Sequence, residues 1–102
     1  MEVLEAIKGR RSIRKYKSTP ISEEDVSYCL EAARWAPSWA NTQCARYVVV
    51  RDSGTKAKLA EAMVPPTPAV AAIREAPVVI VACAELGKSG YKKGALVTNK
   101  GD

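Results

Sequence analysis

The sequence predicts a mixed fold of α-helices and β-strands in which the sheet is incomplete. A helical pattern with a strong start signal covers residues 22–36, and two compact apolar runs, 47–50 and 78–84, are typical of strands. A polar, glycine-punctuated stretch follows the second run and holds little that could pack. Since two strands make a poor sheet by themselves, we expect the partner strands and further helices to lie outside these 102 residues, on missing sequence or on another subunit.

The first predicted helix covers residues 2–8, where apolar side chains recur at helical spacing, and Gly9 is a typical stop signal. A basic segment, residues 8–17, follows it. This segment holds six basic residues and no acidic one, while the whole chain has a net charge of +5. Such a cluster suits the phosphate of a nucleotide cofactor or of a nucleic acid, and it is equally typical of a solvated basic surface.

The second helix has the clearest boundaries in the chain. Ser22 is a good N-cap, and the three acidic residues that follow it fill the first helical turn, where the helix dipole favours negative charge. Ile21 and Val26 are spaced as a hydrophobic staple across the cap. Pro37 ends the pattern.

The rest of the chain alternates strand and helix signals. A strand over 47–50 precedes a short helix over 56–63, and prolines at 65, 66 and 68 separate this helix from another over 69–75. The final strand, 78–84, is continuously apolar, which predicts burial on both of its faces. Residues 88–102 are expected to form a polar tail.

The composition excludes several kinds of site. The chain contains no histidine, so histidine-based acid–base or triad chemistry within it is excluded. Its three cysteines lack CxxC spacing, which leaves no plausible zinc ligand set and indicates reduced thiols in a cytoplasmic protein: Cys29, Cys44 and Cys83. The longest apolar run has nine residues, far fewer than a membrane span needs. We expect neither a metal site nor a membrane segment.

Two short motifs could carry binding chemistry. The first, RRSIRKY over residues 10–16, offers planar guanidinium donors and the Ser12 hydroxyl to a phosphate. In helical or turn geometry, Arg10 and Arg14 would lie on one side and converge on one dianion.

The second motif is APSWANTQ, residues 36–43, in a loop between a helix and a strand. Its amides and hydroxyls both donate and accept hydrogen bonds, which suits the alternating donor and acceptor edge of a flavin ring. A helix stop followed by an ordinary turn is the structural alternative.

In their order and spacing, the two motifs resemble the opening of the FMN-dependent nitroreductase, or flavin reductase-like, family, over residues 1–85. The resemblance implies an α+β fold with a central, mostly antiparallel sheet flanked by helices, incomplete in this chain. Residues 1–102 would then be the N-terminal portion of a single domain whose C-terminal portion is missing. It also implies a homodimer with FMN at the subunit interface.

The resemblance assigns cofactor contacts to both motifs. The first motif supplies phosphate and ribityl contacts, and the second reaches the flavin of the other protomer: Arg10, Arg11, Ser12, Arg14, Pro37, Ser38, Asn41 and Gln43. Trp39 then contributes either to the substrate pocket or to packing. The family usually continues this loop with proline and tryptophan where the chain has Cys44 and Ala45, so the packing of the loop departs from the pattern. No side chain is assigned a catalytic role, because the flavin performs the chemistry.

The implied activity is an oxidoreductase that passes a hydride from NAD(P)H through FMN to a nitroaromatic, quinone or similar acceptor in a ping-pong scheme. We expect the fragment alone to be inactive. Two alternatives stay open. One is a nucleic-acid-binding module that uses the basic segment, although the segment has a single aromatic residue and no recognised nucleic-acid motif, so we expect no nucleic-acid partner. The other is a flavoprotein of the same fold with a different reaction.

Overall fold

The computed structural model describes residues 1–63, 67–92, 95, 96 and 98. In this part of the chain the elements are α1 (Val3–Gly9), α2 (Glu23–Arg34), β1 (Ala45–Val50), α3 (Ser53–Glu61), α4 (Pro68–Glu75), β2 (Val79–Ala84), β3 (Tyr91–Lys92) and β4 (Ala95–Leu96). A short 3-10 turn, Trp39–Asn41, lies between α2 and β1. Helices and antiparallel strands are therefore combined, as the predicted α+β class requires.

The chain divides into two compact units, and we describe each by itself. The first unit comprises residues 1–19 and 52–77, and the second comprises 20–51 and 78–102. That all 102 residues form the N-terminal portion of one domain stays a prediction.

In the first unit, α1 begins with a capping box. The side chain of Glu2 accepts from the backbone of Glu5, and the carboxylate of Glu5 accepts from the backbone N–H of Glu2 at 3.4 Å. Such reciprocal bonds satisfy backbone donors that a helix start leaves free. No residue of α1 is buried, so its apolar side chains face solvent in this chain.

The core of the first unit is the contact between α3 and α4. Ala60 is 2% exposed, and the small alanines at 72 and 76 are also buried. Lys56 is buried as well, and its Nζ donates to the carbonyl oxygen of Ala76 at 2.8 Å. This bond satisfies an ammonium group that would otherwise be costly to remove from water.

In the second unit, α2 begins where the sequence predicts. The Ser22 side chain accepts from the backbone N–H of Asp25 at 3.1 Å, which confirms the N-cap. Val26, on the buried side of α2, and Val50, at the end of β1, are the unit's most buried apolar side chains in the described residues. Arg51 pairs with Glu23 at 2.8 Å between Nη2 and Oε1 and so links the end of β1 to the start of α2.

The two longer strands pair with each other. β1 and β2 run antiparallel in a register from Ala45 opposite Ala84 to Val50 opposite Val79. The backbone N–H of Glu85 donates to the carbonyl of Cys44 at 2.9 Å and extends the ladder by one more contact. β1 follows directly on the loop that carries the second motif, so the sheet anchors that loop at its C-terminal side.

Two predictions about this unit are wrong. The strand over 78–84 is not buried on both faces: Ile80 is 41% exposed, because within the described residues β2 pairs with β1 alone and lacks a cover on one face. The segment after Glu85 is also less irregular than expected. Ser89 and Gly90 are buried, and β3 pairs with β4 in a small antiparallel ladder.

The predicted helix over 56–63 begins earlier, at Ser53, because Asp52 caps it: its carboxylate accepts from the backbone N–H of Thr55 at 2.7 Å. The break expected at prolines 65 and 66 lies outside the described residues. None of the helices in the described ranges has the length and apolar character that crossing a bilayer requires.

Candidate functional site

The loop with the second motif forms a tight, internally bonded turn. Ser38 precedes the 3-10 turn in an extended conformation, and its hydroxyl oxygen accepts from the backbone N–H of Gln43 at 2.9 Å. The backbone N–H of Asn41 donates to the carbonyl of Ser38 at 3.0 Å. The side chains of Gln43 and Asn41 also meet, with Nε2 donating to Oδ1 at 3.2 Å. Three of the predicted flavin-binding residues are therefore brought together.

The backbone of this loop is strained. Ala40, Asn41 and Gln43 have positive φ angles of 48°, 55° and 52°. Asparagine tolerates this left-handed region, whereas alanine and glutamine enter it at a cost of about 1 kcal/mol or more each. Such strain persists where surrounding contacts over-determine it, and it clusters at ligand sites.

The loop forms one wall of a pocket of about 640 Å³. Pro37, Ser38 and Gln43 line it, while Asn41 lies in the same turn without lining the pocket. The volume falls in the range of about 300–1,000 Å³ typical of small-molecule sites. Trp39 is half-buried and lines the pocket, which favours the pocket role over packing alone. The half-buried Cys44 lines it too, as a free thiol.

A charged cluster from the end of α2 stands beside this pocket. The Glu31 carboxylate accepts from Nε and Nη2 of Arg34, at 3.0 and 2.9 Å, and from the indole N–H of Trp35 at 2.8 Å. The hydrogen bond from Arg34, followed by that from Trp35, lowers the pKa of Glu31 to about 2. Arg34 itself lines the pocket.

A second arginine lines the pocket from β1. Arg46 donates through Nη1 to the carbonyls of Gln43 and Ala45, at 2.8 and 2.9 Å. Its Nη2 donates to Glu85 at 2.8 Å. These bonds hold the C-terminal end of the motif loop against the sheet.

The basic segment has a different geometry from the one predicted. α1 ends at Gly9, and Arg10 is extended with φ −61° and ψ 137°. Residues 10–16 adopt neither the helical nor the turn geometry in which Arg10 and Arg14 were expected to lie on one side. Arg11 donates through Nη1 to the carbonyls of Lys8 and Arg10, at 3.0 and 2.9 Å.

The side chains of Arg10, Ser12 and Arg14 are exposed. Among the described residues, none of them forms a hydrogen bond or an ion pair. They are thus available to a ligand. The basic segment belongs to the first unit and the motif loop to the second, so each set of predicted contacts is held within its own unit.

Two arginines and a serine that line the pocket were not predicted. Arg34 has a local sequence signal, since Glu31 precedes it by three residues on the same helix. Arg46 gives no such signal, because its partner Glu85 is distant in sequence. Ser89 lies in the stretch predicted to be an unpacked tail, and only its buried position reveals it.

Most of the chain is similar in sequence to known proteins. The model of the nitroreductase family matches residues 7–98. An NADH dehydrogenase of Thermus thermophilus is 48% identical over 77 residues, which is 76% of this chain and 36% of that protein.

Two solved structures are also similar. A nitroreductase family protein from Clostridium novyi NT superposes with a TM-score of 0.80 at 31% identity, over 99% of this chain and 54% of that one. A Desulfovibrio desulfuricans protein, assigned as a nitroreductase and solved in complex with FMN, gives a TM-score of 0.66 at 39% identity, over 78% of this chain and 45% of that one. This chain spans about half the length of these proteins or less. Since the family model covers most of the sequence, the chain belongs to the nitroreductase family.

Proposed function

We propose that this chain supplies part of the FMN site of an NAD(P)H-dependent oxidoreductase. The enzyme passes a hydride to a nitroaromatic, a quinone or a similar acceptor. The observation that carries the proposal is the pocket of about 640 Å³ walled by Pro37, Ser38 and Gln43, in a chain of the nitroreductase family. The FMN complex of the related D. desulfuricans protein supports the choice of cofactor.

The chemistry of the motif loop fits a flavin ring. Asn41 and Gln43 each carry an amide that donates and accepts, and the Ser38 hydroxyl adds a third polar group. In the chain as it stands, the two amides bond to each other at 3.2 Å, so each keeps further donor or acceptor capacity for a ring edge. We propose that this loop borders the flavin of the partner subunit in a homodimer.

The basic segment fits the phosphate end of FMN. Arg10, Arg11, Ser12 and Arg14 would contact the phosphate and the ribityl chain. Exposed guanidinium groups that have no carboxylate partner among the described residues are well suited to a phosphate dianion, because their donors are planar and paired.

Bound FMN would supply the redox chemistry by accepting a hydride and giving it to a second substrate. The residues of this chain would position the flavin ring, hold the phosphate and shape the pocket. NAD(P)H and the acceptor would bind alternately in that pocket. Sharing one pocket gives ping-pong kinetics, with the first product leaving before the acceptor enters. No side chain needs to act as nucleophile or base.

We further propose that the enzyme works in the cytoplasm, where the three free cysteines stay reduced. Since the chain spans about half of its relatives, we propose that the C-terminal portion completes the site and that this chain alone does not turn over.

Cofactor binding can be tested by titrating the purified chain into FMN and into riboflavin, which lacks the phosphate, and following flavin fluorescence. Arg14→Gln should weaken FMN binding about three- to tenfold and leave riboflavin unchanged, because a phosphate contact alone is lost. Asn41→Ala should weaken both ligands. Arg51→Gln, a matched change at an arginine paired with Glu23, should alter neither.

Two results would contradict the proposal. One is a chain that shows no FMN binding at millimolar concentration. The other is an Arg14→Gln variant that loses FMN and riboflavin equally. Steeply salt-dependent binding of DNA or RNA, at concentrations where FMN does not bind, would favour the nucleic-acid alternative instead.

A further inference from the structure

The charged residues that line the pocket are of one sign. Arg34 and Arg46 line it, and no carboxylate residue does so in the part of the chain that the structure describes. The partner carboxylates, Glu31 and Glu85, hold the two guanidinium groups without lining the pocket themselves. A pocket with guanidinium groups on its wall favours a ligand with a negative group.

The two arginines differ in what they can still bind. In Arg46, both terminal nitrogens are engaged, Nη1 by two carbonyls and Nη2 by Glu85. In Arg34, Glu31 engages Nε and Nη2, and no described residue accepts from Nη1. Arg34 therefore keeps free donors.

Arg34 is also held in place. Glu31 binds it through two parallel hydrogen bonds, and its guanidinium carbon lies 4.9 Å from the centre of the Trp35 ring. The same Glu31 oxygen that accepts from Nη2 accepts from the Trp35 indole. A guanidinium fixed in this way loses less side-chain entropy when a ligand joins it.

Ser89 provides a second polar group on the pocket wall. The residue is 9% exposed and lines the pocket. Its hydroxyl has no hydrogen-bond partner among the described residues. Such a hydroxyl can donate to a ligand oxygen that enters the pocket.

We infer that Arg34 and Ser89 form a subsite for the carboxylate of an aromatic acid, which makes carboxylated aromatic acceptors the preferred substrates of the proposed enzyme. Leu30, Pro37 and Trp39 give the same pocket an apolar wall that suits the aromatic ring. That the bound aromatic acid is an electron acceptor rests on the proposed function, whereas anion binding at the subsite can be measured without a flavin.

The test is a titration of the ¹⁵N-labelled chain with benzoate and with benzamide, its neutral isostere, followed by NMR at the Trp39 indole and the Ser89 amide. Benzoate should bind more tightly than benzamide. Arg34→Gln should weaken the binding of benzoate about fivefold, which is at the upper end of the range that exposed ion pairs contribute. The affinity for benzamide should change by less than about twofold. Arg34→Lys should give an intermediate affinity, because the charge is kept and the fork is lost. Arg51→Gln is the matched control and should change neither.

A second arm separates a substrate carboxylate from a cofactor phosphate. FMN and inorganic phosphate are titrated into the same variants, and Arg34→Gln should leave both affinities within about twofold. If Arg34→Gln weakened phosphate or FMN as much as benzoate, the group would serve the cofactor and the inference would fail. It would also fail if the unmodified chain bound benzoate no better than benzamide. Loss of FMN binding in the unmodified chain would count against the proposed function alone. Retained dispersion of the amide spectrum shows that each variant is folded.

Discussion

The Glu31 carboxylate decides how the edge of the pocket responds to pH. Its pKa lies at about 2, below the ordinary 4.5, because Arg34 and Trp35 donate hydrogen bonds to the ionised form. A lowered pKa means that the stabilising contribution is present above the ordinary value and is lost as the pH falls through about 2. The cluster should thus stay intact at pH 4, where many glutamates are partly protonated.

This prediction can be checked by following the Glu31 side-chain carbon by NMR from pH 7 to pH 1.5. The expected midpoint is about 2, and Arg34→Gln should move it upward because the hydrogen bond that lowers the pKa most is gone. A midpoint near 4.5 in the unmodified chain would mean that Glu31 is not held as described.

Thr42 gives a second prediction at the residue scale. Its hydroxyl oxygen is buried and has no hydrogen-bond partner within the described structure. Thr42→Val removes this polar atom at nearly constant volume, so we expect the free energy of unfolding to rise by up to about 1 kcal/mol. Urea unfolding measures the change. At Thr55, whose hydroxyl donates to Asp52 at 2.9 Å, the same substitution should instead lower stability. A stability loss at Thr42 would reveal a missing partner.

The sequence predicts the composition of the site better than its geometry. Pro37, Ser38 and Gln43 were expected from the motif, and they do line one pocket. The left-handed backbone at Ala40 and Gln43 could not be expected, because neither residue type favours it. Ser89 was missed since its burial depends on contacts formed only when the chain folds.

At the scale of single elements, α2 offers a test of local signals. Ser22→Ala should lower the free energy of unfolding by about 1 kcal/mol, because the side chain caps the Asp25 N–H at 3.1 Å. Ser27→Ala, inside the same helix and exposed, should raise it by a few tenths of a kcal/mol, since alanine is the better helix former. Thermal unfolding of both variants measures the difference. Equal effects would show that the cap does not stabilise the helix.

The elements were predictable to the extent that they depend on local chemistry. The caps at Ser22 and Asp52 need only a few neighbouring residues, and the helix that Ser22 begins was located correctly. The pairing of Ala45–Val50 with Val79–Ala84 and the ladder of β3 with β4 depend on tertiary contacts. Local patterns indicated the first two strands but not their pairing, and they did not indicate β3 or β4. Burial of β2 was overestimated because hydrophobicity indicates what a strand prefers, not what covers it.

At the scale of the whole molecule, several large apolar side chains are exposed to solvent. In α1, Val3, Leu4 and Ile7 are 76%, 60% and 67% exposed, and in the sheet Val48 is 51% exposed. The buried apolar core of the described residues is small and consists of two valines and three alanines. Exposed apolar groups on one helix favour association with another surface. They therefore support the proposed homodimer.

Association through α1 is the last prediction. At high concentration, the mass of the chain from sedimentation equilibrium should rise above the 11.0 kDa of one chain towards twice that value. Leu4→Glu combined with Ile7→Glu should keep it monomeric, because burying two carboxylates at an apolar contact is costly. Lys8→Glu changes the charge of the same helix without removing apolar surface, so that variant should still associate. If all three proteins were monomeric at millimolar concentration, α1 would not be an interface, and the homodimer would need another surface.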